Sequence, residues 1–435
     1  SEYSRLEKSW LAAAEQLYFN RSDSGNCIFA WKQRASVFIF QVLGGRKMEW
    51  KKKVAACVFL CFLILVPVTA FLLPDQKTSK TERRQLAQKP EFSVKSFSDG
   101  TYMEQLETYF LEQFPARDVF RTIKSETETN VLGKADADGY FKVEDGVYHL
   151  EAELNEKNVN RVAKAIEKLC EEQFAESDCY VAVIPDKNYY LSEYKDDSAQ
   201  DVGKQTETSQ KKKEGKSGYP VLDYDRLDEI MQEQINSAEF ISLYDQLELS
   251  DYYRTDLHWK QEKLTDVVNT LMQSMGQENM ALSGEWQTAT DQFQGAYSAA
   301  SAFLTKPDAI YYRENELTDQ MQVYDYEKQQ TVSVYAPEKI GGMDDYDFYL
   351  WGARALITIQ NPQCQNGKKL LLFRDSFGSS IAPLLAENYE EVTLVDLRYV
   401  SASYALELLG DTKYQDVLFL YSVPILNHGD SLRLG

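Results

Sequence analysis

Residues 368–422 constrain the fold more than any other stretch. They run through KKLLLF, SSIAPLLAENY, EVTLVDLR, SASYALELLG and DVLFLYS in succession. Short segments dense in Leu, Val and Phe alternate with segments whose apolar residues return every three to four positions. Strand and helix alternating at this spacing is the pattern of a parallel sheet, because each parallel pairing needs a crossover and a helix supplies it. Sheets of that kind carry their sites beyond the carboxyl ends of the strands. An α/β protein is expected, and the turn after KKLLLF is the first place to look for chemistry.

That turn is Arg374-Asp375-Ser376-Phe377-Gly378. A serine between a strand and a helix is exposed at the sheet edge, and turn amides there can stabilise an oxyanion. Gly378 lets the turn be tight. A serine needs a base within hydrogen-bond reach, and the base needs an acid to orient it. The chain has three histidines. His149 sits in a strand-like alternation and His428 in a turn, LNHGDS. Only His258, in YYRTDLHWKQEKL, has a carboxylate beside it, Asp256, with Trp259 following. By elimination Asp256, His258 and Ser376 are the candidate triad. Two plain alternatives stand beside it: a serine that caps a helix, and a core histidine satisfied by a neighbour.

Upstream, charge separates two regions. Residues 1–74 carry a net +5, and the remaining 361 carry −26. So acidic a body repels nucleic acid, which is set aside as a partner. The boundary is an apolar run, VAACVFLCFLILVPVTAFLLP (54–74), long enough to span a bilayer core. Arg46, Lys47 and Lys51-Lys52-Lys53 precede it, so the flank should stay cytoplasmic and the acidic body lie outside. Val68-Thr69-Ala70 offers a signal-peptidase site, and with it secretion, as the alternative. Val54-Ala55-Ala56-Cys57 mimics a lipoprotein box without the apolar stretch that should precede one. Met48 follows Gly44-Gly45-Arg46-Lys47, which a purine-rich ribosome-binding site would encode, so 1–47 is expected to be a translated leader.

Residues 48–74 are thus anchor or signal, 75–95 a polar tether, and 96–435 the extracytoplasmic domain. Within it the spacing predicts helices broken at Pro115, a hairpin turning at Glu144-Asp145-Gly146, and a helix then a buried strand ending at Pro185. Residues 197–218 are rich in Lys, Gln and Ser and read as a mobile insertion; 281–350 reads as a β-rich insertion. Of six cysteines, three lie beyond the apolar run, at 170, 179 and 364. An odd number without CxxC spacing is neither a disulfide framework nor a zinc site. Cys170 and Cys179 can pair or remain buried thiols. No phosphate-cradling loop, metal cluster or nucleotide fingerprint is present, so no cofactor is expected.

TDLHWKQEKL followed by LLLFRDSFGSSIAPLLAENY resembles the DHHW family of bacterial envelope proteins, relatives of the SGNH-hydrolase-like domains of alginate O-acetylation proteins. YFLEQFPARD and VAVIPDKNYYL fit the same pattern, so the likeness spans roughly residues 100–425. The resemblance implies a flavodoxin-like SGNH fold in which Asp256 orients, His258 is the base and Ser376 attacks. The order is permuted, since the serine block comes first in ordinary SGNH esterases. One departure is Leu257, which stands where the family name has a second histidine; a residue between acid and base should point away from both.

The resemblance further implies acetyl transfer to an envelope polysaccharide, with a membrane-bound O-acyltransferase as partner. Trp259 is expected to pack the histidine loop, sugar stacking being the alternative. Arg374 would stabilise the oxyanion, hold an acidic sugar, or pair with Asp375. Asp375 and Gly378 are grouped with it as oxyanion or substrate contacts, and Tyr349 and Trp351 in YDFYLWG would line the cleft or form a core strand. A carbohydrate acetylesterase and a non-catalytic glycan-binding scaffold are the rival readings.

Overall fold

The computed structural model describes residues 50–193, 218–277 and 284–434. The expected leader and residues 197–217 of the expected insertion lie outside the described residues. The chain divides into two units, 1–75 and 76–435. In the first, helix α1 (Trp50–Leu72) has a mean hydropathy of 2.4 across Trp50–Ala70 and buries none of that span. The Thr69 hydroxyl donates back to the Leu65 carbonyl at 2.8 Å, so it presents no unpaired donor to apolar surroundings. Such a helix is compatible with a membrane anchor or a signal segment.

The second unit corrects the reading of 75–95 as a tether. Strands β1 (Thr78–Ser79) and β2 (Arg84–Gln85) pair as a hairpin, with Arg83 in a left-handed conformation at φ 56°. No apolar spacing marks this segment because charge holds it. Beyond it, helices α2 (Thr101–Glu112) and α3 (Arg117–Glu126) flank the break at Pro115. Glu82 lies 2.8 Å from Arg84, 2.6 Å from Arg117 and 3.0 Å from Arg121, and Arg84 reaches Glu112 at 2.8 Å. Strands β3 (Tyr140–Val143) and β4 (Gly146–His149) then form a hairpin about Glu144-Asp145.

The rest is a three-layer α/β arrangement. Helix α4 (Glu156–Gln173) leads into β5 (Asp178–Ile184), and α5 (Tyr224–Gln234) into β6 (Glu239–Ser242). After α6 (Thr265–Ser274), β7 (Glu285–Phe293) and β8 (Asp308–Glu314) make a separate two-stranded sheet. Then come β9 (Gln322–Asp325), β10 (Gln330–Val332), β11 (Leu356–Gln360), β12 (Lys369–Arg374), helix α7 (Gly378–Leu385), β13 (Glu391–Val395), helix α8 (Ala402–Leu409) and β14 (Asp416–Ser422). Eight strands form one sheet in the order β10-β9-β11-β13-β12-β14-β5-β6. From β13 to β6 neighbours run parallel; β11, β9 and β10 add antiparallel at one edge. The β-rich stretch therefore supplies both an outlying hairpin and the sheet's edge.

Alternation within the strands sorts the core into two faces. Leu370 and Leu372 pack with Ala182, Ile184, Leu418 and Leu420, beneath Val267 and Leu271 of α6 and Ile381 and Leu384 of α7. Leu371 and Phe373 pack on the opposite face with Val181, Val417 and Phe419, against Val162 of α4, Leu227 of α5 and Ala405 of α8. Strands buried on both faces need near-continuous apolar sequence, which is why KLLLF and DVLFLY read so clearly. Cys170 and Cys179 are buried free thiols.

Candidate functional site

From Leu370 to Tyr389 every residue is buried except Ser376. β12 delivers it: the strand ends at Arg374, and Asp375 then folds the turn with its own carboxylate. Asp375 Oδ1 accepts from the Phe377 amide at 2.9 Å, and Oδ2 from the Ser422 amide at 2.8 Å at the end of β14. The amides of Gly378 and Ser379 donate to the carbonyls of Asp375 and Ser376, both at 3.1 Å. The turn amides expected to serve an oxyanion are thus spent inside the turn. Among the described residues the Ser376 amide makes no such bond. Gly378 is required by proximity: a methyl group there would sit 2.7 Å from Arg374 Cβ.

The histidine comes from the loop after β6. Tyr252 and Trp259 bridge antiparallel, the Tyr253 amide donates to the His258 carbonyl at 3.0 Å, and the Lys260 amide to the Asp251 carbonyl at 2.7 Å. Closure of this loop puts Asp256 and His258 on one side. Asp256 Oδ1 accepts from the His258 amide at 3.0 Å and lies 2.6 Å from Nδ1. His258 Nε2 lies 2.8 Å from Ser376 Oγ. A carboxylate only accepts, so the ring proton belongs on Nδ1 and Nε2 is left to accept from the serine hydroxyl. The structure therefore brings Asp256, His258 and Ser376 into one hydrogen-bonded chain. Leu257, between them, packs half-buried on the core.

Trp259 fastens the loop to the serine side. Its indole Nε1 donates to the Phe377 carbonyl at 3.1 Å and to Ser380 Oγ at 3.0 Å, and Gln261 donates to the Ser380 carbonyl at 2.6 Å. Trp259 is fully buried, so the sugar-stacking alternative is excluded. The stretch DDYDFYLWG does serve the site, but through a different aromatic. Tyr346 stacks on His258 with centroids 4.0 Å apart and planes 9° apart, and its hydroxyl donates to Ser380 Oγ at 3.0 Å. Tyr349 is a core residue bonded to the Tyr311 carbonyl, and the Trp351 indole donates to the Ser333 carbonyl. Neither meets the triad. Arg374 also departs from expectation: it is 1% exposed, and Nη1 reaches Asp396 at 3.4 Å and the Asp375 carbonyl at 3.2 Å. Its guanidinium is held by the Asp396 carboxylate and by the carbonyls of Asp375 and Arg354, so the ion pair expected with Asp375 is made with Asp396 instead.

Four contributors carried no recognised signal in the sequence. Asp256 Oδ2 accepts from the Ala296 amide at 2.6 Å and from Arg83 Nη1 at 3.1 Å. Gly295 lies so close that a methyl group there would overlap the Asp256 side chain. Lys187, buried after β5, donates to the carbonyls of Tyr253 (3.1 Å), Arg254 (3.2 Å) and Asp256 (2.7 Å). It lies in VAVIPDKNYYL, just beyond the end of a largely apolar strand, but nothing in that segment singled out the lysine. Burial pushes this amine down to about 7, against the pull of Asp256, Asp308 and Asp186. Burial would likewise raise the Asp256 carboxyl, but His258, Arg83 and the Ala296 amide outweigh it and hold the group well below the usual carboxylate range.

The model of the DHHW protein family matches residues 82–245 and 239–395. Among solved structures, a DHHW family protein from Eubacterium siraeum is 17% identical, with a TM-score of 0.53 over 68% of this chain and 93% of its own. Bacillus cereus PatB1, solved with a sulfonyl adduct, is 16% identical, with a TM-score of 0.51 over 66% of this chain and 97% of its own. At such identities the shared property is the fold, SGNH-hydrolase-like, with the histidine segment preceding the serine segment in this chain. No curated relative matches by sequence.

Proposed function

The chain belongs to the DHHW family, and on that premise we propose that it is a serine-dependent acetyl-transfer enzyme of the cell envelope. The observation that carries the reading is the hydrogen-bonded chain Asp256–His258–Ser376. His258 Nε2 takes the Ser376 proton as Oγ attacks the carbonyl of an acetyl ester. The proton passes to the departing alcohol, leaving acetyl-Ser376. A sugar hydroxyl of an envelope polysaccharide then gives its proton to Nε2, attacks the acetyl carbon, and the proton returns to Oγ. The Ser376 amide, which makes no hydrogen bond among the described residues, is the donor assigned to the oxyanion of each tetrahedral intermediate.

Asp256 keeps the imidazole in the right tautomer and offsets its positive charge during each transfer. The apolar helix α1 fits an anchor that keeps this unit outside the membrane, within reach of a membrane-bound O-acyltransferase that exports acetyl groups. The test is trapping on the full chain in detergent. An activated acetyl ester should add one acetyl group to the peptide containing Ser376. The increment should vanish in Ser376→Ala and fall about a thousandfold or more in rate in His258→Ala. A wild-type protein that stays unlabelled by both acetyl esters and sulfonyl fluorides would overturn the serine reading.

A further inference from the structure

We propose that Arg83, on the hairpin that opens the second unit, is a positioning residue for the triad and fixes the imidazole from two sides. The inference rests on the serine reading above. One guanidinium nitrogen donates to Asp256 Oδ2 at 3.1 Å, on the oxygen that His258 does not use. The other pairs with Asp344. Asp344 accepts from the Tyr346 amide at 2.9 Å and so caps the turn that presses Tyr346 flat against His258. A single cation thereby ties together the acid that bonds the ring edge and the turn that stacks on the ring face.

The geometry is built for this placement. The Arg83 side chain is 11% exposed and the Asp256 side chain fully buried. Arg83 takes a left-handed backbone conformation, φ 56°, that non-glycine residues seldom adopt. The neighbouring residues hold it there, since Glu82 is surrounded by Arg84, Arg117 and Arg121. The Ala296 amide alone would leave the buried Asp256 charge facing one neutral donor on its outer oxygen. Without Arg83, that carboxylate loses the only cation bonded to it among the described residues and the link to the Tyr346 turn, which loosens the alignment of the imidazole with Ser376.

The test uses the full chain in detergent with phenylmethanesulfonyl fluoride as the probe. Arg83→Gln should slow the labelling of Ser376 by about 10- to 100-fold, in line with loss of a charge-assisted hydrogen bond. The loss should fall on the rate of bond formation, with little change in the half-saturating concentration. Arg83→Lys should recover part of it, and Asp344→Asn, which loosens the same bridge from its other end, should show a smaller loss. In histidine-labelled protein, the low-field resonance of the His258 Nδ1 proton should move upfield in Arg83→Gln. Equal labelling rates and an unmoved resonance in Arg83→Gln would overturn the inference. A resonance that depends on Arg83 in a protein whose Ser376 never reacts would instead sink the serine reading and leave the positioning role standing.

Discussion

The two halves of the site are built in opposite ways. Ser376 is presented by contiguous chain: a strand, a three-residue turn and a helix, in which the amides of Phe377, Gly378 and Ser379 are taken up by the Asp375 carboxylate and by turn carbonyls, with one tie to Ser422. His258 is presented by a loop that closes on itself through a few backbone bonds and is held from outside by residues of several other segments. Lys187 secures its carbonyls, Trp259 pins it to α7, and Asp308 accepts from the Thr255 amide at 2.8 Å and its hydroxyl at 2.7 Å. Arg83 and the Gly295-Ala296 step close on Asp256. On the proposed mechanism the nucleophile has one atom to place, and a tight turn suffices. A base must hold its ring plane, tautomer and partner together, and that takes groups from many segments.

The difference can be broken open by substitution. Outside the triad, the largest effect should come from Gly295→Ala on the histidine side. Its methyl group overlaps Asp256, and a displacement of about 1 Å in such a group costs about 100-fold in rate, read as Ser376 labelling. Asp375→Asn attacks the serine side. An amide can accept from only one of Phe377 and Ser422, leaving a buried donor unmet at a cost of about 1–3 kcal/mol in denaturant unfolding. Should Asp375→Asn lose more labelling than Gly295→Ala, the serine turn would be the more demanding half. Tyr346→Leu removes the stacked ring and one hydroxyl bond; about a tenfold loss of labelling is expected, worth about 1.4 kcal/mol.

The last effect is one of pH and is read on stability, not on labelling. The Lys187 amine sits at about 7 in the folded protein and at about 10.4 when unfolded. Between those values the unfolded chain holds the extra proton, so stability should rise with pH, by up to about 1.4 kcal/mol per unit. Lys187→Met lacks that slope. Unfolding free energies at pH 7, 8 and 9 should therefore diverge in favour of the wild type, and parallel lines would mean that Lys187 keeps its proton on folding.

The same contrast explains what could be read from the residues. The sheet was legible because β12 and β14 are buried on both faces and carry near-continuous apolar runs, LLLF and VLFLY. Ser376, His258 and Asp256 were legible because strand-to-helix turns and Asp-x-His spacing are local patterns. Arg83 and Lys187 were not, since a long cation leaves no periodicity and its partner is fixed only by the fold. Residues 76–85 looked like loose chain because apolar spacing was sought where carboxylates and guanidiniums carry the contacts. Tyr346 was passed over for Tyr349 and Trp351 because nothing in a run of aromatics tells which ring faces a histidine. Strand β11 went unnoticed between two stronger signals.

The tie between Asp375 and Ser422 has a consequence for timing. β14 lies between β12 and β5 in the sheet, yet of the eight strands it is the latest in sequence. β5, which precedes the histidine loop, and β12, which leads to the serine, each pair with β14 and not with each other, so the two parts of the sheet meet through the last strand. Only with that strand does Asp375 gain its second amide and the two parts become one. On the proposed mechanism, the triad is therefore complete only once this last strand is in place.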